Sequence, residues 1–466
     1  MRIGLIDPPG FHRGLNVGLG MLAACLEDAG HSVQVVDLNN NPTGEANRLR
    51  AVSGSDAIGI SLKSSALDAA CRIAHDLGRR DLLCGGPHVT LDGERFLLEH
   101  PEFEIAFVGE SEDSLNEVIA ARQTGAPLES IKGIVFRAGN GRGRIVATPP
   151  RAPKADLDSF PAPDYGGFDS VEDRIRDYPL LTSRGCPNSC IYCCVGAISG
   201  KTLRSRSIHS IIRELAHARA RFRSERFSIL DDNFTCDLSR AKGFCQALIE
   251  SSLDFRWTCP NGIRADRIDE ELVSLMKASG CQQVSIGIES LDEDVLRQAR
   301  KGESRQDILD AVTLFSRHRI RTDGFFLVGL PGDTPVKSRQ SLEQARRIGL
   351  DTAHWNMCVP YPGTRAWDWV NQDARVLADW RKGFHFGPGL EPTFETDDFR
   401  RDDMLLAYRR ANIQCRNYAA FFDKRALSFR NSVRLFWLIL HYDRWRLFSH
   451  VTYLLLNLRR IIRGSG

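Results

Sequence analysis

A chain of 466 residues is longer than one hydrophobic core usually organises, and at 42% hydrophobic and 26% charged, with a mean hydropathy of −0.26, it is neither disordered nor fibrous. Its net charge of +3 is unevenly placed: residues 424–466 hold nine Lys or Arg against one acid, Asp443, a local +8 that leaves −5 on the rest. A nucleic-acid footprint over the body of the protein is therefore not expected.

The chain opens on Met1-Arg-Ile-Gly-Leu-Ile-Asp-Pro-Pro9, a short apolar strand without the apolar core and small-residue cleavage site of a secretory signal. With thirteen cysteines, that predicts reduced thiols and a cytoplasmic location. Residues 1–147 alternate short apolar runs with amphipathic stretches, which predicts an α/β fold with a doubly wound parallel sheet, flavodoxin- or Rossmann-like. Strands are expected at Ile3–Ile6, Val33–Asp37, Ala57–Ser61, Leu82–Cys84 and Ile105–Val108, helices at Gly18–Ala29 and Ala66–Gly78, and a closing hairpin from Gly133–Arg137 and Arg144–Ala147. Such sheets bind ligands beyond the carboxyl ends of their strands. The loops there offer Ser61, Ser64, Gly85, Gly86, His88, Gly109 and Glu110.

Thr148-Pro-Pro-Arg-Ala-Pro153 and Phe160-Pro-Ala-Pro-Asp-Tyr165 mark 148–178 as an extended linker. From 179 to 392 the alternation resumes with longer helices and predicts a (β/α)6 partial TIM barrel, followed by a helical region over 393–466. Its strands are expected at Leu180–Ser183, Arg226–Leu230, Phe255–Thr258, Gln283–Gly287, Arg321–Val328 and Thr352–Val359. Helices are expected at Ile208–Arg221, Leu238–Glu250, Asp269–Ala278, Arg305–Ser316 and Val336–Ile348.

The loop after the first barrel strand reads Thr182-Ser-Arg-Gly-Cys-Pro-Asn-Ser-Cys-Ile-Tyr-Cys193. Cys186, Cys190 and Cys193, spaced C-x3-C-x2-C, can hold three irons of a 4Fe-4S cluster and leave the fourth open to a small molecule. Structural zinc draws on four ligands in paired knuckles, and no second knuckle follows. Cys25, Cys71 and Cys281 read as small buried hydrophobes. Barrel sites are built at the carboxyl ends of the strands, and further polar groups stand there. Asp231 and Asn233 follow the second strand, Arg264 the third, with a guanidinium able to fork a carboxylate. Glu289 lies just past the fourth strand and can accept from an amine or ribose hydroxyls. Gly329, in Phe326-Leu-Val-Gly-Leu-Pro-Gly332, permits close backbone approach. The competing readings are an Asx turn at 231–233, a surface ion pair for Arg264 and a salt bridge for Glu289. Trp355 and Tyr361 either line a pocket or pack in the core.

With Tyr192 at Φ, the cysteine segment resembles the CX3CXΦC signature of the radical S-adenosylmethionine (SAM) enzymes, and the later motifs extend the likeness over Pro179 to Pro362. The resemblance implies a 4Fe-4S cluster on Cys186, Cys190 and Cys193, with SAM chelating the open iron and cleaved to a 5′-deoxyadenosyl radical. It implies Tyr192, Asp231, Asn233, Arg264, Glu289 and Gly329 around SAM, the 231–233 segment toward the methionine amine and Gly329 toward the adenine. An electron donor such as flavodoxin or ferredoxin follows from it. The upstream domain is similar to the cobalamin-binding domain that precedes many radical SAM cores, from Leu15-Asn-Val-Gly-Leu-Gly20 through Ala29-Gly-His-Ser-Val33 to Gly85-Gly-Pro-His-Val89. Cobalamin is then expected on the loop residues named above. The D-x-H-x-x-G motif is absent, so neither His12 nor His88 is assigned as an axial ligand. A flavodoxin-like domain with structural glycines and no cofactor is the plainer alternative.

Near the end, neither apolar run within 429–463 reaches the ~20 residues of a spanning helix. Two basic, aromatic-rich helices are expected, lying on the inner face of the membrane or capping the barrel. The leading function is cobalamin-dependent C-methylation of an unactivated carbon in a small-molecule or lipid-like substrate. A radical cyclisation or rearrangement, as in the anaerobic Mg-protoporphyrin ester cyclases, is the alternative. A non-catalytic cobalamin or metal-binding sensor is the third reading.

Overall fold

The computed structural model describes residues 1–10, 14–141, 143–383, 386–387, 390–421 and 429–454. The chain forms two compact units. One comprises Met1–Pro187, Cys194–Asp232 and Ala247–Phe255; the other comprises Asn188–Cys193, Asn233–Gln246 and the described residues from Arg256 on.

In the first unit, β1 (Arg2–Asp7), β2 (Ser32–Asp37), β3 (Ala57–Ser61), β4 (Leu82–Gly85), β5 (Phe103–Phe107), β6 (Ile134–Arg137) and β7 (Ile145–Ala147) form one sheet, order β2-β1-β3-β4-β5-β6-β7. The first five strands are parallel, because Val, Ile and Leu runs buried on both faces need helices to cover them. The hairpin β6–β7 closes the edge antiparallel to β5. This is the expected α/β architecture, with strand boundaries shifted by at most two residues. The order reverses between β1 and β3, which opens a crevice beyond their carboxyl ends.

The Pro-rich stretch belongs to this unit. Val35 N–H donates to Gly167 O at 2.8 Å and Asp37 N–H to Asp169 Oδ1 at 2.9 Å, while Tyr165 and Phe168 are buried. A segment without regular structure is thus fastened by its backbone to β2. Farther on, β8 (Tyr178–Leu180) starts two residues earlier than expected, and a hairpin unforeseen from the sequence follows, β9 (Ser183–Arg184) with β10 (Arg204–Ser205). β11 (Arg226–Ile229) pairs in parallel with β8.

In the second unit, β12 (Arg256–Ile263), β13 (Cys281–Glu289), β14 (Arg321–Val328) and β15 (Thr352–Met357) are parallel neighbours in sequence order. Helices Glu270–Ala278, Arg305–Arg317 and Pro335–Ala345 alternate with them. Caps set their starts: Ser304 and Asp307 form a reciprocal capping box before Arg305. β12 and β13 are longer than expected, so Ile263 and Glu289 are the last strand residues and Arg264 directly follows. Helix Arg401–Gln414 packs on β15, and Gln414 Nε2 donates to Tyr442 O of helix Phe429–Asp443 at 3.2 Å. Of the second tail helix, 447–454 is helical; the remainder lies outside the described residues. Among the described residues no helix is long and apolar enough to cross a membrane.

Candidate active site

In the second unit the site is built around the last turn of β13. Glu289 is 8% exposed and sits at a register shift against β14 with φ +66°, a conformation uncommon outside glycine and kept only where the surroundings enforce it. Burial pushes its carboxyl pKa up, against the pull of Lys301 and a hydrogen bond from Tyr192. A Cβ on Gly287 would lie 2.9 Å from Glu289 Oε1 and 3.1 Å from Lys301 Nζ, so glycine at this position makes the room for both polar groups.

Arg264 is held differently from what the sequence suggested. Its Nε and Nη2 fork onto Asp266 at 2.8 and 3.0 Å, Nη1 donates to Lys301 O at 2.6 Å and Nη2 to Gly302 O at 3.2 Å. Four of its five N–H groups are therefore spent on the protein. Arg264 clamps the turn 301–303, and the fork offered to a ligand carboxylate is filled by Asp266. Glu303 on that turn has a fully buried side chain with no hydrogen-bond donor to either oxygen, and its carboxyl is pushed up to about 7 by burial.

The cysteine loop is fastened in this unit by Ile191, whose N–H donates to Ala299 O at 3.1 Å and whose carbonyl accepts from Ala366 at 2.9 Å. Tyr192 is half-buried, and burial drives its hydroxyl well above the usual range. Cys190 is half-buried and Cys193 exposed. Burial raises the Cys190 thiol, while Lys301 and Arg264 pull it back toward the thiolate a metal needs. Gly329 N–H donates to the buried Asp333 at 3.0 Å, which fixes the loop after β14; burial lifts the Asp333 carboxyl to about 6. Asn233 is buried.

The remaining residues lie in the first unit. Cys186, half-buried, donates its N–H to Gly200 O at 3.2 Å. Asp231 accepts from Thr182 N at 2.6 Å, Ser183 Oγ at 2.6 Å and Thr182 Oγ1. This carboxylate is a staple between β11 and the segment after β8, whereas the sequence had placed it toward a ligand amine. Asp231→Ala strands three buried donors, and we expect a loss of about 3 kcal/mol of stability in urea unfolding of the apo chain. An unchanged midpoint would return Asp231 to the role of a pure ligand contact.

At the carboxyl edge of the first sheet, Asn16 Nδ2 bridges the buried Asp7 Oδ1 at 2.9 Å and Ser61 Oγ at 3.1 Å, and Lys63 pairs with Asp7 at 3.2 Å. Gly86, with φ +115°, lets β4's end pass so close that a Cβ would sit 2.7 Å from Leu62 O. Space stands open beside Gly109. His88 is not on a loop: it is the second residue of the helix Pro87–Glu99, buried against Ser64 Oγ at 3.0 Å and edge-on to Phe96. Glu110 departs from its expected place. It forms a two-pronged pair with Arg204 at 2.5 and 2.9 Å, and Arg184 lies between Glu110 and Glu112. Despite burial these arginines hold its carboxyl below the usual range. His12 lies outside the described residues.

The residues fit the groups implied. Three thiols on fastened loops, with cations beside Cys190, suit a 4Fe-4S cluster, although among the described residues no three Cys, His, Asp or Glu side chains already converge. The carboxylate of Glu289, the ammonium of Lys301 and the cradle at Gly287 suit a zwitterionic ligand with hydroxyls. The crevice at Ser61, Gly86 and Gly109 suits a large cofactor lying on backbone. Lys301 and Glu303 escaped sequence reasoning, because a Lys-Gly-Glu turn between helices carries no spacing signal.

Residues 180–345 match the family model of the Radical SAM superfamily and residues 12–119 that of the B12 binding domain. The chain is 27% identical over 421 residues to an uncharacterized methyltransferase of Pyrococcus horikoshii, covering 88% of each. It is 26% identical to the anaerobic magnesium-protoporphyrin IX monomethyl ester cyclase of Synechocystis, over 69% of this chain and 67% of that one. In fold it is similar to the radical SAM methyltransferase TsrM of Kitasatospora setae, solved with cobalamin and a 4Fe-4S cluster, at a TM-score of 0.65 and 18% identity over 78% of this chain and 73% of the other.

Proposed function

We propose, for a chain that belongs to the radical SAM enzymes carrying a B12-binding domain, that its reaction is C-methylation of an unactivated carbon in a small-molecule or lipid-like substrate. The observation that carries this reading is the presence of both domains in a chain aligned over 88% of its length with a methyltransferase. When bound, the cluster with SAM supplies hydrogen abstraction from such a carbon, and cobalamin supplies a transferable methyl group.

The chain's own residues bind and orient. Cys186, Cys190 and Cys193 hold the cluster. Glu289 and Tyr192 present acceptor and donor beside it, Gly287 leaves the space, and the loop at Gly329 offers backbone to the adenine. Ser61, Gly85, Gly86 and Gly109 line the cobalamin crevice. A flavodoxin or ferredoxin supplies the electron. Anaerobic incubation of the reconstituted enzyme with methyl-labelled SAM and substrate tests the reaction: methylation puts label in the product. Product without label supports the second reading, a cyclisation or rearrangement, which the likeness to the Synechocystis cyclase favours.

We also propose contact with an anionic membrane surface through the C-terminal region. Trp437, Trp445 and Phe448 are 64%, 87% and 85% exposed, interleaved with Arg434, Arg444 and Arg446. The one acid nearby, Asp443, is bound to His450 at 2.8 Å. The intact enzyme should float with vesicles containing anionic lipid, and Trp445→Ser with Phe448→Ser should reduce that several-fold. Equal flotation with neutral vesicles, or none, removes the proposal.

A further inference from the structure

β14 and β15 present two unlike faces. On one, Phe326, Val328, Trp355 and Met357 are fully buried, with Phe326 stacked on Trp355 at 4.4 Å between ring centroids and the Trp355 backbone bonded to Asn412 of the helix that packs on β15. Phe325, Leu327, His354 and Asn356 alternate with them on the inner face and are half-buried. There the Phe325 and His354 rings meet at 5.6 Å. The next strands bring bare backbone beside them: Gly287 pairs with Phe325, and a Cβ on Gly262 would lie 3.8 Å from Phe325 Cδ2. Two rings and two glycines make a flat floor.

Two residues back along β14, about 7 Å away, Asp323 lies on the same face. It is 7% exposed, and its oxygens accept only from neutral donors, Gln283 Nε2 and Thr352 Oγ1. Among the described residues it has no cationic partner. Ser285, opposite Asp323 in the β13–β14 register, is 2% exposed, and its hydroxyl has no hydrogen-bond partner among the described residues. A buried carboxylate beside an unpartnered hydroxyl is costly unless a cation with N–H groups joins them.

We infer that the inner face of β13 to β15 binds the substrate, and that the substrate is a ring-bearing amine, its ring on Phe325 and its ammonium on Asp323 and Ser285. This deepens the reading of the chain as an enzyme that acts on a carbon beside bound SAM, and it rests on that reading. The register gives the direction. Phe325 neighbours Gly287, whose cradle holds Glu289, whereas Asp323 lies toward the opposite end of the strand. The ring therefore faces the reacting end and the ammonium is held away from it. A carbon chain without charge leaves Asp323 unpaired, so the face favours a small amine over a lipid-like substrate.

Phenethylamine, 2-phenylethanol and phenylacetate share a ring and differ in the charge of the end group. Ligand-observed NMR titration of each against the SAM-bound holoprotein reads their affinities, with SAM binding measured in the same sample. The wild type should bind the amine about tenfold more tightly than the alcohol, the worth of a charge-assisted hydrogen bond, and phenylacetate most weakly. Asp323→Asn should bring amine and alcohol to within about threefold of each other, whereas Phe325→Ala should weaken both in the same proportion. A merely structural aspartate would leave the preference as it was, which overturns the inference. So does a wild type that binds all three alike, favours phenylacetate or binds none of them while SAM still binds, and the reading of the site as a SAM site then stands. A holoprotein that fails to bind SAM brings down that reading and the inference with it. Should Asp323→Asn fail to fold, Ser285→Ala decides: phenethylamine bound at least about threefold more weakly supports the site, and an unaltered affinity overturns it.

Discussion

Replacing Cys186, Cys190 and Cys193 together by alanine should yield a colourless protein with no cluster iron and no detectable cleavage of SAM, where the anaerobically reconstituted wild type should be brown with about four irons and four sulfides per chain. The fold should survive. Cys193 is exposed and Cys186 and Cys190 are half-buried, so trimming them opens no core cavity, and the loop is fastened through the backbone of Ile191 and Cys186. Iron analysis, the visible spectrum and circular dichroism of the triple variant check this. Retention of iron at the wild-type level would place the cluster elsewhere among the thirteen cysteines.

Gly287→Ala should weaken cofactor binding strongly for a single added methyl group. The added Cβ would fall 2.9 Å from Glu289 Oε1 and 3.1 Å from Lys301 Nζ, both the free ends of side chains, so they swing away and the strand stays. We expect SAM binding weaker by about a hundredfold, as both contacts are lost, with stability changed by less than about 1 kcal/mol. Gly324→Ala is the contrast. There the Cβ would press within 2.7 Å of Leu350 Cδ1 and 2.9 Å of Ile288 Cδ1, a packed core, so stability should fall by about 1–3 kcal/mol. Equal effects of the two substitutions on SAM affinity would show that Gly287 serves the strand and not the site.

The strands were legible because their signal is local: alternation of Val, Ile and Leu with turn residues located β1 to β6 and β11 to β15 to within a few residues. Glu289 was legible too, as an acid at the end of an apolar strand. What the sequence hides is the partner. Asp231 and Arg264 both stand at carboxyl ends of strands, yet Thr182 and Ser183 claim one and Asp266 the other, at separations of forty-nine, forty-eight and two residues. No periodicity reports such pairings. The same holds for His88, which looks like a loop residue beside two glycines but is the second residue of a helix that buries it. The strand pairs β9–β10 and Arg375–Val376 with Phe394–Glu395 were too short to leave a pattern.

The pairing of Glu110 and Glu112 with Arg184 and Arg204 bears on how this protein melts. One side of it follows β5 in the cobalamin-type sheet; the other belongs to the β9–β10 hairpin, whose connecting segment carries Cys186. Because these charges are buried together, neither side can unfold without exposing unmatched partners on the other, and the proline-rich stretch between them is itself tied to β2. The first sheet and the approach to the cluster therefore form one cooperative folding unit. A chain cut at the prolines would not release two independent domains, and a version beginning near residue 179 would start with its first cluster cysteine on an unsupported hairpin.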